Sequence, residues 1–78
     1  MTRAQGVIKR SVAIAGHRTS VSLEEPFWTE LHAIARARGR SAQSLIAEID
    51  SGRGAQNLSS AIRVFVLTTV RERASAEV

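Results

Sequence analysis

Arg18-Thr19-Ser20-Val21-Ser22-Leu23, followed at once by Glu24-Glu25-Pro26, is the stretch that decides the fold. Successive side chains of a strand point to opposite faces, so Arg18, Ser20 and Ser22 share one face and Thr19, Val21 and Leu23 the other. Beyond Pro26 the pattern turns helical and runs to Gly39-Arg40-Ser41. A lone strand leaves its backbone N–H and C=O groups unpaired and needs a partner. In a chain of 78 residues that partner is a hairpin mate or a second copy of the same strand. Either one makes a two-stranded ribbon, and such a ribbon fits the major groove of B-DNA.

A hairpin mate lies just upstream. From Val7 to Ile14 apolar and polar residues alternate imperfectly, with β-branched enrichment. Gly16-His17 reads as a two-residue loop, and glycine in the first position suits a type II′ turn. That register sets Ile14 opposite Thr19, Val12 opposite Val21, Ala13 opposite Ser20 and Ser11 opposite Ser22. Pairing of the strands between chains is the alternative. Strands then occupy residues 7–23, and residues 1–6 form a flexible arm.

Three helices follow. The first spans 26–38, with Pro26 in the first turn, Glu24 and Glu25 at its positive end, and Arg36 and Arg38 near its last carbonyls. Its buried stripe is Leu31, Ile34 and Ala35 with Phe27 or Trp28. Gly39 ends it, and Ser41 caps a second helix over 42–50 that buries Leu45, Ile46 and Ile49. Gly52-Arg53-Gly54 breaks that helix. Asn57 caps a third over 58–74, with Leu58, Ala61, Ile62, Phe65, Val66 and Val70 in one stripe and Val64 and Leu67 off it. A helix apolar on several sides asks for burial on several sides, which points to self-association.

Composition narrows the function. A single domain of this size buries only ~60% of its unfolded surface and is marginal alone. The absence of cysteine removes disulfides and thiolate metal sites, and two histidines make a poor metal site. Oligomerisation is the remaining remedy. The net charge of +4 is unevenly spread, because Arg3, Lys9, Arg10 and Arg18 precede Glu24 without one acid among them. After Leu23 seven bases balance seven acids. The excess charge therefore lies on the ribbon segment, as a phosphate-facing surface requires, and Lys9 and Arg10 are candidates for DNA-backbone contacts. No cofactor and no metal is expected. There is no cysteine nucleophile, no nucleotide loop and no spacing that marks a catalytic triad, so the chain does not read as an enzyme. No apolar run is long enough for a signal sequence or a membrane span, and a cytoplasmic protein is expected. His17 reads as a turn residue, His32 as helix surface and Trp28 as packing.

The strand, the helix ending in Gly39-Arg40-Ser41 and the second helix resemble the ribbon-helix-helix family of Arc- and Met-repressor-like DNA-binding proteins. The wider string, from Lys9-Arg10-Ser11-Val12 through Gly16-His17-Arg18-Thr19-Ser20-Val21-Ser22-Leu23-Glu24 to Phe27-Trp28, with Asn57-Leu58-Ser59-Ser60-Ala61-Ile62-Arg63, is similar to a bacterial subgroup of short stand-alone members. The resemblance implies a mainly α fold with a short N-terminal β-ribbon. It implies an intertwined homodimer; the extra N-terminal strand and extra C-terminal helix go beyond the minimal family fold, and the apolar third helix leaves a tetramer as the other assembly. Arg18, Ser20 and Ser22 would then read bases. Thr19, Val21 and Leu23 would face a dimer core with Leu31, Ile34, Leu45, Ile46, Ile49, Ile62, Phe65 and Val66. Arg40, Ser41 and the amides of Ala42 and Gln43 would hold the DNA backbone, as a capped helix N-terminus can.

Two functions compete. One is a transcriptional regulator that binds double-stranded DNA as a homodimer. The other is a protein-interaction module, antitoxin-like or adaptor, that docks a protein partner on the apolar third helix and binds DNA weakly or not at all.

Overall fold

The computed structural model describes residues 6–76. Residues 1–5, most of the expected N-terminal arm, and 77–78 lie outside the described residues. Two strands, β1 (Val7–Ile14) and β2 (His17–Glu24), form an antiparallel hairpin, and three helices follow, α1 (Glu25–Ala37), α2 (Ala42–Gly52) and α3 (Leu58–Ala76). The helices pack beneath one face of the hairpin, α2 against β1 and α1 and α3 against β2. The other face is open to solvent.

The hairpin forms within one chain, but its register differs from the expected one by two residues. Ile14 pairs with His17, Val12 with Thr19, Ser11 with Ser20, Arg10 with Val21 and Ile8 with Leu23. The loop is Ala15-Gly16, with φ of 50° and 86°. Two positive φ angles make a type I′ turn, whose twist matches that of the strands. Strain at Ala15 is accepted because this register sets Ile8, rather than Arg10, opposite Leu23 on the core face. A slip of two keeps every side chain on its expected face. Asparagine tolerates the left-handed region better than alanine and favours this turn. Ala15→Asn should therefore stabilise the fold by about 0.5–1 kcal/mol and raise Tm by several degrees in a thermal melt. An unchanged or lower Tm would show that Ala15 carries no strain.

The first helix starts at Glu25, with proline in its first turn, and ends in a Schellman motif. Gly39 takes φ 68°, its N–H donates to the Arg36 carbonyl at 3.0 Å, and the Arg40 N–H donates to the Ala35 carbonyl at 2.9 Å. Ser41 then caps α2, its hydroxyl accepting from the Ser44 amide at 3.0 Å. Asn57 caps α3 through its side-chain oxygen, which accepts from the Ser60 amide at 3.2 Å.

Val21, Leu23, Leu31, Ile34, Leu45, Ile46 and Ile62 are the most completely buried side chains, and Ile14, Trp28, Ala35, Leu58 and Val66 complete the core. Of the residues assigned to a dimer core, Val21, Leu23, Leu31, Ile34, Leu45, Ile46, Ile62 and Val66 are thus already buried inside one chain. Thr19, Ile49 and Phe65 are half-buried. Val64 and Leu67, off the main stripe of α3, are more than half exposed, at 53% and 54%. No described helix is long and apolar enough to cross a membrane.

Candidate nucleic-acid interface

The open face of the hairpin follows from its alternation. Lys9, Ser11 and Ala13 of β1 and Arg18 and Ser20 of β2 are exposed on it, and Ser22 and Glu24 are half-exposed at its far end. Ser11 faces Ser20, Ala13 faces Arg18 and Lys9 faces Ser22. The Arg18 guanidinium leans across the ribbon and donates from Nη1 to the Ser11 hydroxyl at 3.1 Å. Lys9 and Arg18 thus share one small polar surface with three serines.

Among the described residues Glu24 is the only acid on that face, and it is engaged. Arg63 of α3 donates from Nε to Glu24 Oε1 at 3.0 Å. A backbone hydrogen bond from its own amide, and then the Arg63 bond, hold the Glu24 carboxyl below the usual carboxylate range. A lowered folded value means this contact is fully present above the ordinary carboxylate range and is lost as pH falls through the lowered value. Both groups are solvent-exposed enough that the effect on stability is small. Arg63→Ala should raise the Glu24 midpoint in an NMR pH titration. No movement would mean that Arg63 does not hold the carboxylate.

Arg63 does more than neutralise an acid. Its Nη2 donates to the Ser22 carbonyl at 3.3 Å, and Ser59, one turn earlier, accepts the Ser22 amide at 3.1 Å. Both backbone groups of Ser22 therefore point away from β1 and are taken by α3. Sequence reasoning missed Ser59 and Arg63, although their spacing of four on an otherwise apolar helix was a signal. It missed Ser11 as the partner of Arg18 as well.

The remaining candidates lie elsewhere. Arg10 is on the helix side of the ribbon, its guanidinium 4.8 Å from the centre of the Trp28 ring, so the structure does not bring it together with Lys9. Arg40 folds back on α2. Its Nε and Nη2 donate to the Ser44 hydroxyl at 3.2 and 2.9 Å, Nη2 donates to the Ser44 carbonyl at 3.0 Å, and Nη1 pairs with Glu48. That pairing holds the Glu48 carboxyl below its usual range. Ser41 spends its oxygen on Ser44, which leaves the amides of Ala42 and Gln43 as the first donors of α2 without an acceptor in the helix. These four residues lie in the turn between α1 and α2 and the first turn of α2, not on the exposed sheet face.

In comparison with known proteins, a family model described as a ribbon-helix-helix domain matches residues 7–70. No curated protein and no solved structure matches the chain.

Proposed function

The chain belongs to the ribbon-helix-helix family, whose members generally bind DNA as transcription regulators and form homodimers, and on that premise we propose that it is a cytoplasmic regulator that lays the open face of its ribbon in the major groove of a duplex. One observation carries this reading. The exposed ribbon face holds Lys9, Arg18, Ser11, Ser20 and Ser22, and the one acid among its described residues, Glu24, is occupied by Arg63. Arg18 would read a base edge, since arginine is the commonest specific reader through paired bonds to guanine. Ser20 and Ser22 supply short donors and acceptors beside it, and Lys9 supplies phosphate attraction. The free amides of Ala42 and Gln43 suit a phosphate oxygen, with Arg40 and Ser41 holding the turn that presents them. No catalytic step belongs to this reading.

The test is duplex binding against salt. With Lys9 and Arg18 from two copies on phosphate or base, log K should fall with log salt at a slope of roughly −3 or steeper. A flat salt dependence, or no duplex binding at 50 mM salt, would sink the proposal. The second reading, docking of a protein partner, is favoured by Val64 and Leu67, which stand exposed on α3. A stable protein complex lost on Leu67→Asp, with no duplex binding, would favour it instead.

A further inference from the structure

Basic side chains in this protein divide by type as well as by place. Of the 11 in the chain, Lys9 is the only lysine and the rest are arginine. A guanidinium is a flat fork that stacks on rings and grips carboxylates, and an ammonium does not replace it there. Arg10 and Arg38 lie over the Trp28 and Phe65 rings at 4.8 and 5.2 Å. Arg40, Arg53 and Arg63 are paired with Glu48, Asp50 and Glu24. Lys9 does neither. Its side chain is exposed on the open ribbon face, and among the described residues no carboxylate pairs with it. Of all the side chains, this amine is the one that an acyl donor readily turns into a neutral amide.

What lies beside the amine selects the donor. Ser11 is two residues along β1 on the same face, about 7 Å away between Cα atoms. Arg18 reaches diagonally across the ribbon, and its Nη1 donates to Ser11 Oγ at 3.1 Å. Ala13, directly opposite Arg18, is small enough to leave that path open. The guanidinium therefore sits over Ser11 with most of its N–H donors unspent, within reach of the long, flexible Lys9 side chain. An amine beside a guanidinium and a hydroxyl is a place for an electrophile that carries its own anion.

We propose that Lys9 is an acylation site served by acyl phosphates, and that acylation weakens the hold of the ribbon face on a duplex. The switch rests on the duplex-binding reading above, whereas the site does not. The phosphate of the donor bonds to Arg18 and Ser11, which brings its carbonyl carbon to Lys9. Lys9 Nζ, having given one proton to water, attacks that carbon. The C–N bond forms and the C–O bond to phosphate breaks. The departing phosphate takes the bonding electron pair and the proton that the nitrogen sheds. The product is a neutral amide. No second lysine in the chain dilutes the effect, so one event removes Lys9 from the cations of the face and leaves Arg18 in place.

The full chain, treated with acetyl phosphate or with N-acetylimidazole, a donor without phosphate, is mapped for acetyl groups by peptide mass spectrometry. Acetyl phosphate should favour Lys9 over the α-amino group, and N-acetylimidazole should not. Inorganic phosphate at constant ionic strength should compete with the first donor only. Arg18→Ala should slow acylation of Lys9 by acetyl phosphate about 3- to 5-fold, the size of one exposed ion pair, and leave the other donor unaffected. The acetylated chain should bind selected and scrambled duplexes more weakly in equal measure, with a salt slope flatter by about 1 for each phosphate contact removed. Acetyl groups on the α-amino group alone, or the same preference from both donors, would overturn the site. Acetylation of Lys9 with no change in affinity or slope would overturn the switch. A chain that binds no duplex before treatment removes the reading beneath the switch, and the switch with it, while the map and the phosphate competition still decide the site.

Discussion

Trp28→Ala should lower Tm by roughly 15–30 °C and leave much of the chain unfolded at 37 °C, read by circular dichroism. Only 3% of Trp28 is exposed, and it ties the hairpin to α1 in three ways. Its ring fills the space between the ribbon and the first helix. Its Nε1 donates to the Ile8 carbonyl at 3.0 Å. Its face carries the Arg10 guanidinium at 4.8 Å. Truncating a buried tryptophan to alanine costs about 3–5 kcal/mol, and a chain of this size has only ~4–12 kcal/mol to lose. Trp28→Phe keeps most of the packing and removes the hydrogen bond, so it should cost about 1–2 kcal/mol. The ratio of the two separates ring volume from the bond to Ile8. If Trp28→Ala melts within a few degrees of the parent chain, the hairpin is held by Val21, Leu23 and Ile14 instead.

Local features of the fold were legible because their causes are local. Alternation over Arg18–Leu23 marks the strand, Gly39 and Ser41 mark the stop and restart between α1 and α2, and Asn57 marks the start of α3. Each depends on residues within four positions of one another. The hairpin register was not legible in the same way. Glycine at position 16 permits two turns, and choosing between them required knowing that Ile8 gains Leu23 as its neighbour. That is a packing fact, not a turn preference, and it overrode the reluctance of Ala15 to take a positive φ.

Contacts between distant segments were the other blind spot, and they bear on the candidate site. Ser59 and Arg63 meet Ser22 and Glu24 from 37 to 41 residues away. No local pattern announces them. Yet they remove the one acid from the ribbon face and close part of one edge of β2. Arg10 shows the converse case. Its place in the acid-free N-terminal segment made it look like a partner of Lys9, but strand parity turns it toward Trp28. Charge counted along the sequence predicts the sign of a surface, whereas parity decides which charges are on it.

Arg18→Ala should abolish preference for a selected duplex while leaving the fold unchanged. The side chain is exposed, its only described bond is to the exposed Ser11 hydroxyl, and no carboxylate among the described residues competes for it. An exposed substitution of this kind moves stability by about 0.5 kcal/mol or less, so the thermal melt is a built-in control for folding. A paired arginine–guanine contact contributes about 1–3 kcal/mol of discrimination, which is roughly 5- to 150-fold in affinity between the right duplex and a scrambled one. Two copies on two half-sites would lose it twice, so the ratio should fall towards one. Lys9→Ala, on the same face, should behave differently. A lysine on phosphate attracts every sequence alike, so its loss should weaken all duplexes together and flatten the salt slope by about 1 for each phosphate contact removed. The two variants therefore split one cationic face into a part that chooses and a part that only attracts. Competition anisotropy with selected and scrambled duplexes reads both. Should Arg18→Ala keep the full ratio between them, base reading belongs to another residue of the face, and Lys9 and Ser11 on β1 would be next in line.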